Sequence, residues 1–122
     1  MSSQRNERLF IDDIKDSIRA IESFVEGLSQ EDFKKDRKTF SATIRELEII
    51  GEAVNNISDE LKQKYLHVLW QEIRSFRNKI VHEYFGVDIR IVWDVITNKL
   101  PILKRQIARI QIDLEAKAPD DV

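Results

Sequence analysis

There is no cysteine in these 122 residues. That excludes disulfides and thiolate chemistry and fits a reducing compartment. Glycine and proline number three and two, so turn signals are few and the elements between them must be long. The only histidines are His67 and His82, and neither has a second histidine one helical turn away. Acids such as Asp12 and Asp13 sit near lysine and read as a solvated helix face, so the ligand sets of zinc or calcium sites are missing. No metal and no cofactor is expected. No uninterrupted apolar run approaches the roughly 18–20 residues of a membrane span, and the opening MSSQRNERLF is too polar for a signal peptide. A cytoplasmic protein is expected. A formal net charge of −2 gives the whole chain no electrostatic pull on nucleic acid, so any anionic ligand has to be held by a local patch.

Hydrophobic residues make up 42% of the chain and charged residues 34%, enough for one helical domain over residues 1–122. Phe10, Ile14, Ile18, Ile21, Val25 and Leu28 recur at helical spacing, and Gly27 marks a break near the end of that stripe. SQED at 29–32 has the form of a capping box. It opens a second helix, bent before Thr39, with the stripe Phe40, Ile44, Leu47, Ile50 or Gly51, Val54 and Ile57. A glycine inside a helix costs about 1 kcal/mol relative to alanine; a close helix crossing at Gly51 would justify it. DELKQKY is a short helical piece, and a third helix starts near Leu69. Asp88 is a good N-cap for a fourth, whose stripe runs from Ile89 to Leu114. Pro101 lies inside that stripe, so a kink or break is expected near Lys99–Leu100. The expected fold is all-α: an antiparallel bundle of four main helices plus a short one.

One stretch does not read as ordinary packing. Residues 74–84 are RSFRNKIVHEY. On a wheel of about 100° per residue, Leu69, Ile73, Phe76 and Ile80 make the core stripe, and Gln71, Glu72, Ser75, Lys79 and Glu83 the solvated face. The remaining arc mixes Trp70 and Val81 with Arg74, Arg77, Asn78 and His82. Trp and Arg are enriched at interfaces, so this arc predicts a homodimer with Trp70 and Val81 in its seam and a polar cleft beside them. Arg77 and His82 are about 140° apart round a straight helix, so a site using both is expected to draw on both subunits.

Taken singly, each residue has an ordinary explanation. Arg74 and Arg77 fit surface ion pairs, and His82 suits the helix C-terminus, where a cation meets the dipole. Tyr84 fits a half-buried ring with a wet hydroxyl. Asn78, unfavourable inside a helix, needs a specific hydrogen bond. The joint spacing is what separates this stretch from those readings.

Arg77, His82 and Tyr84 spell R-x4-H-x-Y with Asn78 after the arginine. This resembles the signature of the HEPN superfamily, and in particular its HepT-like branch, the toxin half of HepT–MntA toxin–antitoxin pairs. RELEIIGEAVNNIS at 45–58 and VWDVITNKLPILKRQI at 92–107 resemble the flanking blocks of that branch. The resemblance implies a homodimeric, metal-independent endoribonuclease with Arg77 and His82 catalytic and Asn78 and Arg74 supporting. It also implies a type VII-like system in which Tyr84 accepts AMP from ATP. The donor enzyme would be a cognate MntA-like minimal nucleotidyltransferase, acting as antitoxin.

The residue chemistry is compatible with that implication. RNA is cut without a metal when its 2′-hydroxyl attacks the adjacent phosphate. Imidazole, ordinarily titrating near about 6.5, suits the proton movements, and a guanidinium fork suits the extra phosphate charge. AMP on Tyr84 would add charge and bulk two residues from His82. The competing reading is a non-catalytic helical module that binds a nucleotide or a nucleotidyltransferase; a third is a purely structural dimer. An adjacent nucleotidyltransferase gene favours the toxin pair, and measured cleavage separates it from the binding module.

Overall fold

A computed structural model describes the backbone of residues 2–82 and 87–117, and the side chains of residues 6–81 and 87–116. The described residues are helical, without strands. Helix α1 spans Ser2–Val25, α2 Gln30–Lys35, α3 Arg37–Asn56, α4 Asp59–Lys64, α5 Trp70–His82, α6 Ile89–Asp94 and α7 Leu100–Lys117. A π-helical turn, Val95–Lys99, joins α6 to α7. The four long elements are therefore α1, α3, α5 and the continuous α6–α7 rod, as expected.

The breaks have local causes. Gly27 adopts φ +76°, a left-handed conformation that glycine reaches without a Cβ penalty, and α1 stops there. The Ser29 hydroxyl accepts from the Asp32 N–H while the Asp32 carboxylate accepts from the Ser29 N–H, both at 3.1 Å. The expected bend before Thr39 is a full break at Asp36. This residue ends α2 and caps α3, its carboxylate accepting from the Thr39 N–H at 3.0 Å and the Thr39 hydroxyl at 2.6 Å. Those two bonds hold the Asp36 carboxyl below its ordinary range. Ser58 caps α4 and Asp88 caps α6.

Pro101 leaves the helix unbroken. Proline removes one backbone donor from the ladder, and the chain meets this by widening the preceding turn. The Leu100 N–H reaches back five residues to the Val95 carbonyl. Such π turns are a recognised way for a helix to absorb an irregularity.

Helix α1 packs on α3 and α7, and α3 packs on α5. Ile11, Ile14, Ile18 and Ile21 from α1 meet Ile44, Leu47, Ile50 and Val54 from α3 and Leu103, Ile107, Ile110 and Leu114 from α7, all buried. Phe33 of α2 is sealed against Phe40 and Trp93, with ring centroids 5.7 and 5.2 Å away. No helix among the described residues is long and apolar enough to cross a membrane.

Two expectations about α5 change. Trp70 belongs to the core, buried to 9% exposure, with its indole Nε1–H donating to the Tyr65 carbonyl at 3.0 Å. It is therefore unavailable to a dimer seam. Leu69, expected in the core, is 56% exposed. The inward face of α5 is Trp70, Ile73, Arg77 and Ile80, rotated from the expected stripe toward the arginine. Leu69 lines a groove of about 490 Å³ together with Ile91, Val95 and Ile102, and Ile73 and Phe76, half-buried against the core, form part of its wall.

The link before α5 is tied down by Tyr65, whose hydroxyl donates to Asp113 Oδ2 of α7 at 2.6 Å. Burial, and then this bond, pushes the phenol up to about 12. Because the folded value lies above the ordinary one, the contribution is present below about pH 10 and is lost as pH rises through the folded value. Absorbance titration should therefore find one of the two tyrosines ionising well above its ordinary value, and Tyr65→Phe should remove that late step. Two tyrosines titrating together near 10 would contradict the bond.

Candidate functional site

Arg74, Arg77, Asn78 and His82 all stand on α5. The His82 side chain and the whole of Tyr84 lie outside the described residues, and with them the expected exposure of the Tyr84 hydroxyl. Because α5 is helical through His82, the separation of about 140° between positions 77 and 82 holds on its backbone. Arg74 and Asn78 are exposed. The structure thus places the arginines and the asparagine on one helix and brings Asn78 against Arg77, with Arg77 Nη1 donating to Asn78 Oδ1 at 3.2 Å. That bond accounts for an asparagine in a helix interior, where the residue type is otherwise unfavourable.

Arg77 is not on the flank of α5, as the wheel placed it. Its side chain is only 26% exposed, and its stem is pressed against α3. The residue under it is Gly51. A methyl built at Gly51 would lie 2.2 Å from Arg77 Cβ and 2.3 Å from Cγ, so only a residue without a side chain fits. The close crossing expected at Gly51 exists, and what crosses there is the candidate catalytic arginine.

The guanidinium lies where the stem leaves it, at the rim. Its Nη2 is 3.8 Å from Glu52 Oε1, and that carboxylate is about half exposed. An ion pair this long and this wet contributes on the order of 0–1 kcal/mol. Arg77 Nε is buried with no hydrogen-bond partner among the described residues, an arrangement that costs about 1–3 kcal/mol. The polar contacts of the guanidinium therefore do not explain it by stability. A half-sunk cation with one unmet N–H and two outward nitrogens has the form of a residue held ready for an anion.

Among the described residues no three His, Asp or Glu side chains converge so as to hold a metal ion. Tyr65, the other tyrosine, has its hydroxyl engaged by Asp113, which disfavours it as an alternative acceptor for a transferred group. Two residues that frame the site were not singled out for it from sequence. Gly51 was noticed only as a helix anomaly, and Glu52 not at all; the readable signal was a glycine followed by an acid in the middle of an amphipathic helix.

Residues 14–110 match the model of the family described as "HepT-like: Ribonuclease HepT-like". The chain is 38% identical over 108 residues to the probable ribonuclease HepT of Thermococcus cleftensis, covering 88% of this chain and 98% of that one. It is 35% identical over 119 residues to a protein of Methanocaldococcus jannaschii named "Putative RNase", covering 98% of each. A protein of the same description from Caldanaerobacter subterraneus is 48% identical over 86 residues, covering 70% of this chain and 77% of the relative. No solved structure matches the chain.

Proposed function

The chain belongs to the HepT-like ribonuclease family, and from that membership we propose that it is a metal-independent endoribonuclease and the toxin of a toxin–antitoxin pair. The observation that carries the reading is the setting of Arg77: stem buried on Gly51, Nε unmet, Nη1 and Nη2 at the rim beside Asn78 and Glu52.

In the reaction the 2′-hydroxyl of one nucleotide attacks the phosphorus that follows it. The 2′-O–P bond forms, the P–O5′ bond breaks, and the products are a 2′,3′-cyclic phosphate and a 5′-hydroxyl. One group takes the 2′-hydroxyl proton and another gives a proton to the leaving 5′-oxygen. His82 is the proton-moving residue. Arg77 holds two phosphate oxygens as their negative charge grows, with Arg74 and Asn78 supporting it.

One chain carries one His82, whereas base and acid are two roles. A two-fold dimer brings two His82 and two Arg77 to a shared cleft, and the helical separation of positions 77 and 82 fits a site completed across it. With Trp70 in the core, the seam follows the Val81 side of α5, where Val81 is 41% exposed and Arg74 and Asn78 are exposed beside it.

Regulation in this reading falls on Tyr84. A cognate MntA-like minimal nucleotidyltransferase, in the same cytoplasm, transfers AMP from ATP to its phenol oxygen. A new P–O bond forms to the α-phosphate, pyrophosphate leaves, and the phenol proton goes to solvent.

The test uses the purified full chain with mixed-sequence RNA in excess EDTA. Light scattering should give twice the 14.4 kDa chain mass, and RNA should be cut to ends with cyclic phosphates. Cleavage that appears only on adding a divalent ion would sink the metal-independent mechanism. A clean monomer that cuts at full rate would sink the shared cleft.

A further inference from the structure

We propose that Gly51 is a positioning residue for the reaction: it is the notch on α3 that sets where Arg77 delivers its guanidinium. The proposal rests on the ribonuclease reading with Arg77 at the phosphate, and goes beyond it by assigning a role to a residue with no side chain on a different helix.

The geometry leaves little room for another role. Gly51 is buried in the middle of α3, where glycine is a poor helix former. Nothing in its backbone asks for glycine, since its φ is not in the positive range. What asks for it is the neighbour. The atoms that a Gly51 methyl would strike are Arg77 Cβ and Cγ, at 2.2 and 2.3 Å, with Cα at 3.5 Å. These are the root of the side chain, fixed to the α5 backbone, and cannot swing away as the far end of an arginine can. Relieving the clash requires α5 to back off or turn. Ile50 and Val54 on α3 and Ile80 on α5 are buried close by in sequence, so that movement would open the core.

The same root determines where the head of Arg77 emerges. With the stem in the notch, Nε is sealed from solvent and only the outer nitrogens reach Asn78 and Glu52. A helix displaced by about an ångström moves that head by at least as much, and misplacement of this size at a reacting centre costs on the order of 10²-fold in rate. RNA binding draws on other phosphate contacts as well, so the loss belongs in kcat more than in KM.

The experiment compares Gly51→Ala, Arg77→Gly and the double variant with the full-length protein. Cleavage of a fluorescent mixed-sequence RNA by folded Gly51→Ala should fall on the order of 10²-fold in kcat, with KM moving less than about threefold. Urea unfolding supplies a readout that an ordinary helix glycine would not move. Gly51→Ala should lower the midpoint when residue 77 is arginine and raise it when residue 77 is glycine, because there the two clashing atoms are gone, the Cα at 3.5 Å is in ordinary van der Waals contact, and alanine is the better helix former. Wild-type kcat in folded Gly51→Ala, or the same sign of midpoint shift in both backgrounds, overturns the proposal. If Gly51→Ala does not fold, adding Arg77→Gly must restore folding; failure to do so also overturns it. If the wild-type chain cuts no RNA, the ribonuclease reading fails, and the sign of the midpoint shift alone decides whether Gly51 seats Arg77.

Discussion

Arg77→Met is expected to lower RNA cleavage by about 10²–10³-fold, the usual loss when a donor to developing negative charge is removed. Methionine keeps an unbranched stem over Gly51 while deleting the guanidinium, so the helix crossing survives and the loss reports on charge. Arg77→Ala is the less informative change. It removes a side chain that is only 26% exposed and is expected to cost more stability than a surface substitution, whose usual range is within about 0.5 kcal/mol. His82→Ala should reduce cleavage by about 10²–10⁴-fold, the span of general acid–base contributions. If the dimer shares its cleft, mixing inactive Arg77→Met and His82→Ala chains should restore some activity in hybrid dimers. Full cleavage by a well-folded Arg77→Met chain would remove the arginine from the mechanism.

Tyr84→Phe is expected to separate toxicity from its control. The substitution deletes one oxygen and keeps the ring. With the partner nucleotidyltransferase and ATP, wild-type protein should gain mass in whole AMP units that map to Tyr84, and Tyr84→Phe should gain none. A chain so altered should still cut RNA and should inhibit growth even when the partner is present. In the proposed reading the modification would act by adding phosphate charge and a nucleoside two residues from His82, which would pair with Arg77 and block the cleft. Continued mass gain in Tyr84→Phe would move the acceptor elsewhere. Tyr65 is a poor second choice, since its hydroxyl is bonded to Asp113 and its ionisation is pushed to about 12.

Much of the architecture was legible because strong local signals agreed with the global packing. Ile14, Ile18 and Ile21 lie in the core as their spacing requires, and Ser29, Ser58 and Asp88 cap the helices they precede. Pro101 was correctly placed as a disturbance, but its form was not readable. A π turn and a kink relieve the same missing donor, and neighbouring packing selects between them.

The phase of α5 was misread for an instructive reason. Hydrophobic periodicity assigns Leu69 inward and expels Trp70 and an arginine. In the fold, Ile73, Phe76 and Ile80 do pack on the core, but α5 is turned so that Trp70 and the stem of Arg77 also face in, while Leu69 is exposed along the groove. A long cationic side chain can bury its stem and keep its head wet, which a scale that scores whole residues misses. Two oddities of the sequence stand far apart along the chain: a glycine inside one helix and an arginine cluster on another. They are the two sides of a single contact. The HepT-like block supplied the identity of the candidate residues, but the placement of Arg77 came from that contact.

The notch at Gly51 has a consequence in genetics. Every missense change at a glycine codon introduces a side chain with at least a Cβ, so each such change at this codon puts an atom where Arg77 already stands. If the chain is a toxin, cells selected to survive it without its antitoxin should collect substitutions at position 51 alongside the expected hits at Arg77 and His82. At position 27 a new Cβ meets open space and adds only the strain of its positive φ, about 1–2 kcal/mol, so changes there should be rarer in that spectrum.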